Sequence, residues 1–204
     1  MVMLGLAVRS APQVRMWRQS RSARLAPFGP CPKAPKAVVV GDAAPTEVWK
    51  ADAVYLDPRW TAGKDPHADY AIARVSNDAG LSVEAHVGLA LTLGTAPPPG
   101  SHVTVLGYPA GVGGSPVGCQ ASTSVNEAGF PSLVCEGLVD GTSGAPWVSG
   151  TTLTGLIGGF ERGGCAANVS YSAPFDAQTA QLLARAEAGG PGDPVPNDLG
   201  DSCG

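Results

Sequence analysis

Charge and aromatic rings are both scarce in this chain. Asp, Glu, Lys and Arg together make up 15% of it and Phe, Trp and Tyr 6%. A nucleic-acid-binding face needs basic charge on a folded surface, with rings for bases to stack on. Here seven basic residues fall in residues 1–36, which hold no acidic ones, and that segment has no helical or strand period. A nucleic-acid partner is therefore not expected. No apolar run is long enough to cross a bilayer, so no membrane span is expected. No C-x-x-C pair or cysteine–histidine cluster is present, so no metal site is expected. Long periodic segments are rare, which leaves many short strands joined by turns.

What is abundant fits that picture. The 204 residues include 28 glycines and 19 prolines. That length suits one domain or two small ones with a real core. Strands are expected at Val38–Val40, Glu47–Leu56, Asp69–Val75, Leu89–Leu93, His102–Tyr108, Val117–Val125, Ser132–Glu136, Pro146–Val148, Thr152–Phe160 and Val169–Ala173. The stiff connector Ala96–Gly100 marks an internal boundary. Phe175–Ala188 carries Ala180, Leu183 and Ala186 at helical spacing after Pro174 and reads as a helix. From Gly189 onward the Gly/Pro/Asp composition reads as a disordered tail. Cys119 and Cys135 flank a strand–turn–strand pattern at a spacing that suits a disulfide-closed loop; two reduced core cysteines are the alternative. A disulfide favours an oxidising compartment. Cys31, Cys165 and Cys203 cannot be assigned partners.

The stretch Gly137–Val148, GLVDGTSGAPWV, sets Ser143 between small residues. A hydroxyl becomes a nucleophile only when a base takes its proton. The oxyanion that forms then needs preorganised donors. Glycines beside the serine let the N–H groups of Gly141 and Ser143 point at one spot. The alternative is a plain Gly/Ser turn between strands.

Three stretches in order carry a resemblance: Asp69-Tyr70-Ala71-Ile72-Ala73, Gly141-Thr142-Ser143-Gly144-Ala145-Pro146, and Gly155–Phe160 followed by Tyr171–Phe175. Together they resemble the trypsin-like, chymotrypsin-fold serine peptidases, most closely small bacterial secreted members, over roughly Val38 to Ala188. The resemblance implies an all-β fold of two six-stranded-type antiparallel β-barrels with a C-terminal helix. Residues 38–96 would form an incomplete first barrel and 97–188 the second barrel plus helix, between an irregular basic leader (1–37) and a tail (189–204). It also implies a secreted endopeptidase that acts as a monomer on peptide or protein substrates without a cofactor. Ser143 would attack the scissile carbonyl, Gly141 and Ser143 N–H groups would form the oxyanion hole, and Asp69 would orient a histidine. Gly158, Gly159 and Phe160 would run beside the bound peptide.

The sequence departs from the family at the base. The histidine should lie upstream of Asp69 in a T-A-A-H-C stretch, and none of His67, His86 and His102 matches. No histidine is carried over. Residues 1–37 read either as a disordered leader or, the favoured reading, as standing in place of the family's own start through a wrong start or shifted frame. Without a base, only the oxyanion hole and binding remain, roughly 10³–10⁴ over water. The alternative function is a peptide-binding scaffold that does not cut. Glu136, near the expected pocket base, reads either as a selector of basic side chains or as a solvated residue.

Overall fold

The computed structural model describes residues 37–40, 47–77, 83, 90–109, 117–138, 141–166 and 168–194. The readings made for the basic leader, His86, Cys31 and Cys203 lie outside the described residues. Strands dominate. A three-stranded sheet has the order β1 (Ala37–Val40), β2 (Glu47–Leu56), β3 (Ala71–Ser76). A five-stranded sheet runs β4 (Thr92–Leu93), β10 (Thr152–Leu156), β9 (Pro146–Ser149), β5 (His102–Gly107), β6 (Val117–Ser122). A second three-stranded sheet runs β11 (Val169–Tyr171), β8 (Pro131–Val134), β7 (Ser124–Val125). All pairings are antiparallel except β4 with β10. This is the all-β class expected from the sequence.

β5 shows why alternation makes a strand here: Val103 and Val105 point inward while His102, Thr104 and Leu106 point out. The single strand expected over Val117–Val125 is interrupted at Thr123. That residue is buried, and its N–H and C=O are bonded to Ser101 O and Gly100 N rather than to a ladder. The chain bends there and passes from the five-stranded sheet to the three-stranded one, a corner of the kind that sheet packing requires. Cys119 on β6 and Cys135 just after β8 then tie those two sheets through a disulfide, with Cα atoms 6.3 Å apart.

The β2–β3 pair is buried on both faces. Tyr55, Ala53 and Ile72 join one core; Val54, Leu56, Ala71 and Ala73 form another. The first core is shared along the chain, since Leu153, Leu156, Ala173 and Phe175 pack into it with Leu182, Leu183 and Ala186 of α2 (Ala177–Glu187). Each fully buried large side chain contributes on the order of 1.5–3 kcal/mol.

Asp176 starts α2 with a capping box: its carboxylate accepts from the N–H groups of Gln178 and Thr179, and its own N–H bonds Thr179 Oγ1. The buried face is Thr179, Leu182, Leu183 and Ala186, so Ala180, expected on the apolar stripe, is exposed. Thr179 decides this rotation, because its hydroxyl also donates to Tyr70 Oη at 3.0 Å beneath the helix.

A polar clasp completes that contact. Asp57, wholly buried, caps the short helix α1 (Pro58–Gly63), whose Pro58 occupies the first helical turn. Arg59 reaches back to Asp57 at 2.9 Å and across to Asp176 at 3.0 Å, while Tyr70 Oη donates to Asp57 at 2.8 Å. Burial alone would raise the Asp57 carboxyl, but the Arg59 and Tyr70 hydrogen bonds outweigh it and hold it below its ordinary value. Burial likewise works against Asp176, and the Thr179 N–H with Arg59 brings it below. The Asp57 bonds raise the Arg59 guanidinium further, and burial raises the Tyr70 phenol.

Gly189–Pro194, expected to begin a disordered tail, is instead bonded to β2. Asp193 N–H donates to Val54 O at 2.7 Å, and Leu56 N–H to Asp193 Oδ2 at 2.7 Å. Composition gave no sign of this because the contacts are mostly backbone and one ion pair rather than apolar burial.

Arg59→Ala leaves Asp57 buried with its main partner gone. An urea titration is expected to show a loss of about 3 kcal/mol, Asp176 adding little because its side chain is 39% exposed. Both carboxyls are depressed in the folded state. Their stabilisation is present above the ordinary carboxylate value of 3.8 and is lost as pH falls through the folded values. Thermal melts of the wild type should therefore drop below about pH 4, and this acid dependence should flatten in Asp57→Asn. Separately, Cys119→Ser opens a disulfide of sequence separation 16 and is expected to cost about 3 kcal/mol in the same titration.

Candidate active site

Ser143 lies in a tight turn between Leu138 and β9. Gly141 has φ of 92° and Gly144 of 82°, the left-handed region that a side chain would strain. The turn closes on itself through Ala145 N–H to Thr142 O at 2.8 Å. Thr142 is buried against the end of β5, where a Cβ on Gly107 would come within 3.0 Å of its methyl. Ser143 itself is exposed. A sequence of small residues therefore lifts one hydroxyl to the surface on a turn whose neighbours are pinned.

The turn is also tied to the next segment. Gly144 N–H donates to Ile157 O at 2.8 Å, and Ile157 N–H to Ala145 O at 2.9 Å. Two residues on, Gly159 N–H donates to Asp69 Oδ2 at 3.1 Å. Asp69, 2% exposed, caps the 3₁₀ turn Pro66–Ala68, and β3 begins only at Ala71. Its carboxylate is thus aimed from the first sheet's side at the segment that holds the serine turn. The serine turn, through Gly144 and Ala145, and Asp69 are thus each bonded to the segment Ile157–Gly159.

That segment is not the strand expected through Phe160. β10 stops at Leu156, because Gly159 has φ of 80° and Gly158 N–H turns to Tyr171 O at 3.0 Å. A Cβ at Gly159 would lie 2.7 Å from Ala173 N and 3.2 Å from Pro66 O. Only glycine lets these three backbones cross so closely. Upstream, Ser172 Oγ accepts from Leu156 N–H at 3.0 Å and donates to Ala173 O at 2.8 Å, binding the two expected pocket walls together. Gly158 and Gly159 are buried and Phe160 is half-buried.

Phe160 belongs to a row of rings: His67 on Phe130 at 4.2 Å, Phe130 on Phe160 at 5.3 Å, and Phe160 edge-on to Tyr171 at 5.1 Å. Sequence reasoning missed this row, since its members come from four separate stretches of the chain. His67 Nδ1 pairs with Asp65 at 2.9 Å rather than with Asp69. The His67 main-chain N–H, helped by its ring, holds the Asp65 carboxyl below its ordinary value against the opposing effect of burial. His102 is exposed on β5 and meets Ser122 Oγ at 3.2 Å. Glu136 is exposed in the turn after β8, which fits the solvated reading.

No protein-family model matches the chain, and no curated protein does. Solved structures do. The chain is similar to the thermostable serine protease AL20 from an extremophilic microorganism, with a TM-score of 0.60 and 24% identity, covering 69% of this chain and 68% of that one. It is also similar to the protease Anisep from Arthrobacter nicotinovorans, with a TM-score of 0.63 and 20% identity, covering 74% and 75%. The chain has the fold of the chymotrypsin-like serine proteases.

Gly159→Ala forces a side chain into the left-handed region and into Ala173. It is expected to cost about 1–3 kcal/mol by denaturant titration. In the same variant the amide at position 159, bonded to Asp69 in the wild type, should exchange faster than the Gly158 amide bonded to Tyr171.

Proposed function

We propose, from this protease fold and the segment that bonds both Asp69 and the serine turn, that the chain is a serine-type endopeptidase in design with little activity as written. Ser143 is the nucleophile. Gly141 and Ser143 N–H groups receive the oxyanion, and Asp69 is the carboxylate that would orient an imidazole and stabilise its charged form. Gly158 to Phe160 lie beside an extended peptide substrate. The observation that carries the reading is the three-residue tie Ile157–Gly159, bonded to the Ser143 turn at one end and to Asp69 at the other. No cofactor enters this chemistry, and the chain acts as a monomer on peptides or proteins. The Cys119–Cys135 disulfide supports an oxidising, extracellular setting.

Activity is low because no histidine matches the family's base motif, and an alcohol without a base keeps an alcohol's reactivity. His67 has its Nδ1 committed to Asp65. That observation favours a second reading, a protein that grips peptides on the same walls without cutting them.

A fluorophosphonate probe separates the two. Under the first reading the purified chain labels slowly, roughly 10³–10⁴-fold above the uncatalysed reaction, and labelling vanishes in Ser143→Ala. Peptide binding with no labelling above the Ser143→Ala background favours the scaffold. Labelling at the rate of an intact triad would sink both, since it requires a base in place.

A further inference from the structure

β2 has two edges, and they are covered differently. β3 pairs along one of them from Lys50 to Leu56. Among the described residues, β1 pairs along the other from Glu47 to Lys50. Residues two apart in a strand direct their backbone groups to the same side. Beyond Lys50, the groups of Val54 and Leu56 on the β1 side are met by the C-terminal segment. Asp193 N–H donates to Val54 O. The Asp193 carboxylate accepts from Leu56 N–H, and the Arg185 guanidinium donates to Leu56 O at 3.0 Å. Arg185 and Asp193 pair directly with each other. One ion pair thus satisfies both backbone groups of Leu56, as a neighbouring strand would.

The fit is close at one residue. A Cβ at Gly192 would come within 2.8 Å of both Val54 N and Val54 O, so the approach needs glycine followed by an acid. Gly190 O accepts from Tyr55 Oη at 2.6 Å, and Arg185 lies over the Tyr55 ring at 5.6 Å. The segment leaves α2 through Gly189, with φ of 78°, and Gly190, where a Cβ would meet nothing within 4 Å, two glycines at which the backbone can turn. A cleft of about 280 Å³ lined by Ala51 to Val54, Gly192 and Asp193 lies alongside.

We propose that the β2 edge from Ala51 to Leu56 is an acceptor site for an extended Gly-Asp segment, with Arg185 and the Leu56 N–H as its carboxylate anchor. Residues 189–194 of this chain are its resident occupant. They act as a latch on a glycine hinge, closing an edge that otherwise pairs with another copy of the chain. The recognition is β-augmentation with a charge lock: main-chain bonds give the alignment, and the carboxylate gives the selectivity.

The test compares the full chain with one ending at Gly189, using amide exchange and sedimentation. The Leu56 amide should exchange about tenfold or more faster in the shortened chain. The Tyr55 amide, paired across to Ile72, should hold. The shortened chain should self-associate with rising concentration. A synthetic peptide of residues 189–194 at millimolar concentration should reverse both effects, and the same peptide with Ala for Asp193 should not. Unchanged Leu56 exchange, a monomer at every concentration, or equal action of the two peptides overturns the proposal. Should the shortened chain fail to fold, full-length Asp193→Ala and Arg185→Ala are read instead. Faster exchange at Leu56 alone supports the site, and no change at Leu56 overturns it.

Discussion

Everything at the candidate site depends on one crossing where a side chain is not tolerated. At Gly159 the backbone passes between Ala173 and the carbonyl of Pro66, and it donates its N–H to Asp69 while doing so. Two residues earlier the same segment holds the serine turn through Ile157. The spacing of the Ser143 turn and the Asp69 carboxylate is therefore set largely by a short stretch of covalent chain to which both are bonded. Such a link costs little entropy to maintain, because peptide geometry has already fixed it.

The crossing needs both sides held still, and two features do that. Below it, the Asp57–Arg59–Asp176 clasp and the Tyr70–Thr179 bond join the residue next to Asp69 to the start of α2. Beside it, Ser172 joins the two walls downstream of the serine turn. In each case a buried polar group is fully engaged, which turns a group costly to bury into one that admits a single arrangement. α2 then packs on β2 and β3 through Leu182, Leu183 and Ala186, so residues far apart in sequence share one core with the first sheet.

Much of this was legible in the chain. The alternation of β5, the small residues around Ser143 and the spacing of Cys119 and Cys135 are local signals, and the strands, turn and disulfide lie where they pointed. Other features were not legible, for one common reason. The end of β10 at Leu156 follows from a hydrogen bond to Tyr171, and the rotation of α2 follows from a hydroxyl reaching Tyr70. The row from His67 to Tyr171 draws one ring from each of four separate stretches of chain. The docking of Gly189–Pro194 uses groups more than a hundred residues away. No window of sequence contains both partners of such a contact.

By itself the sequence determined what each short segment could be. Glycine, proline and alternation act through sterics and periodicity within a few residues, and these give strands, turns, caps and the exposed serine. It also determined that none of the three histidines stands in a T-A-A-H-C stretch, which is read directly from residue order. Only the tertiary structure decided which backbone meets Asp69, which face of α2 is buried, and what covers the far half of the β2 edge. Those outcomes rest on hydrogen bonds and close approaches between segments that become neighbours only after folding.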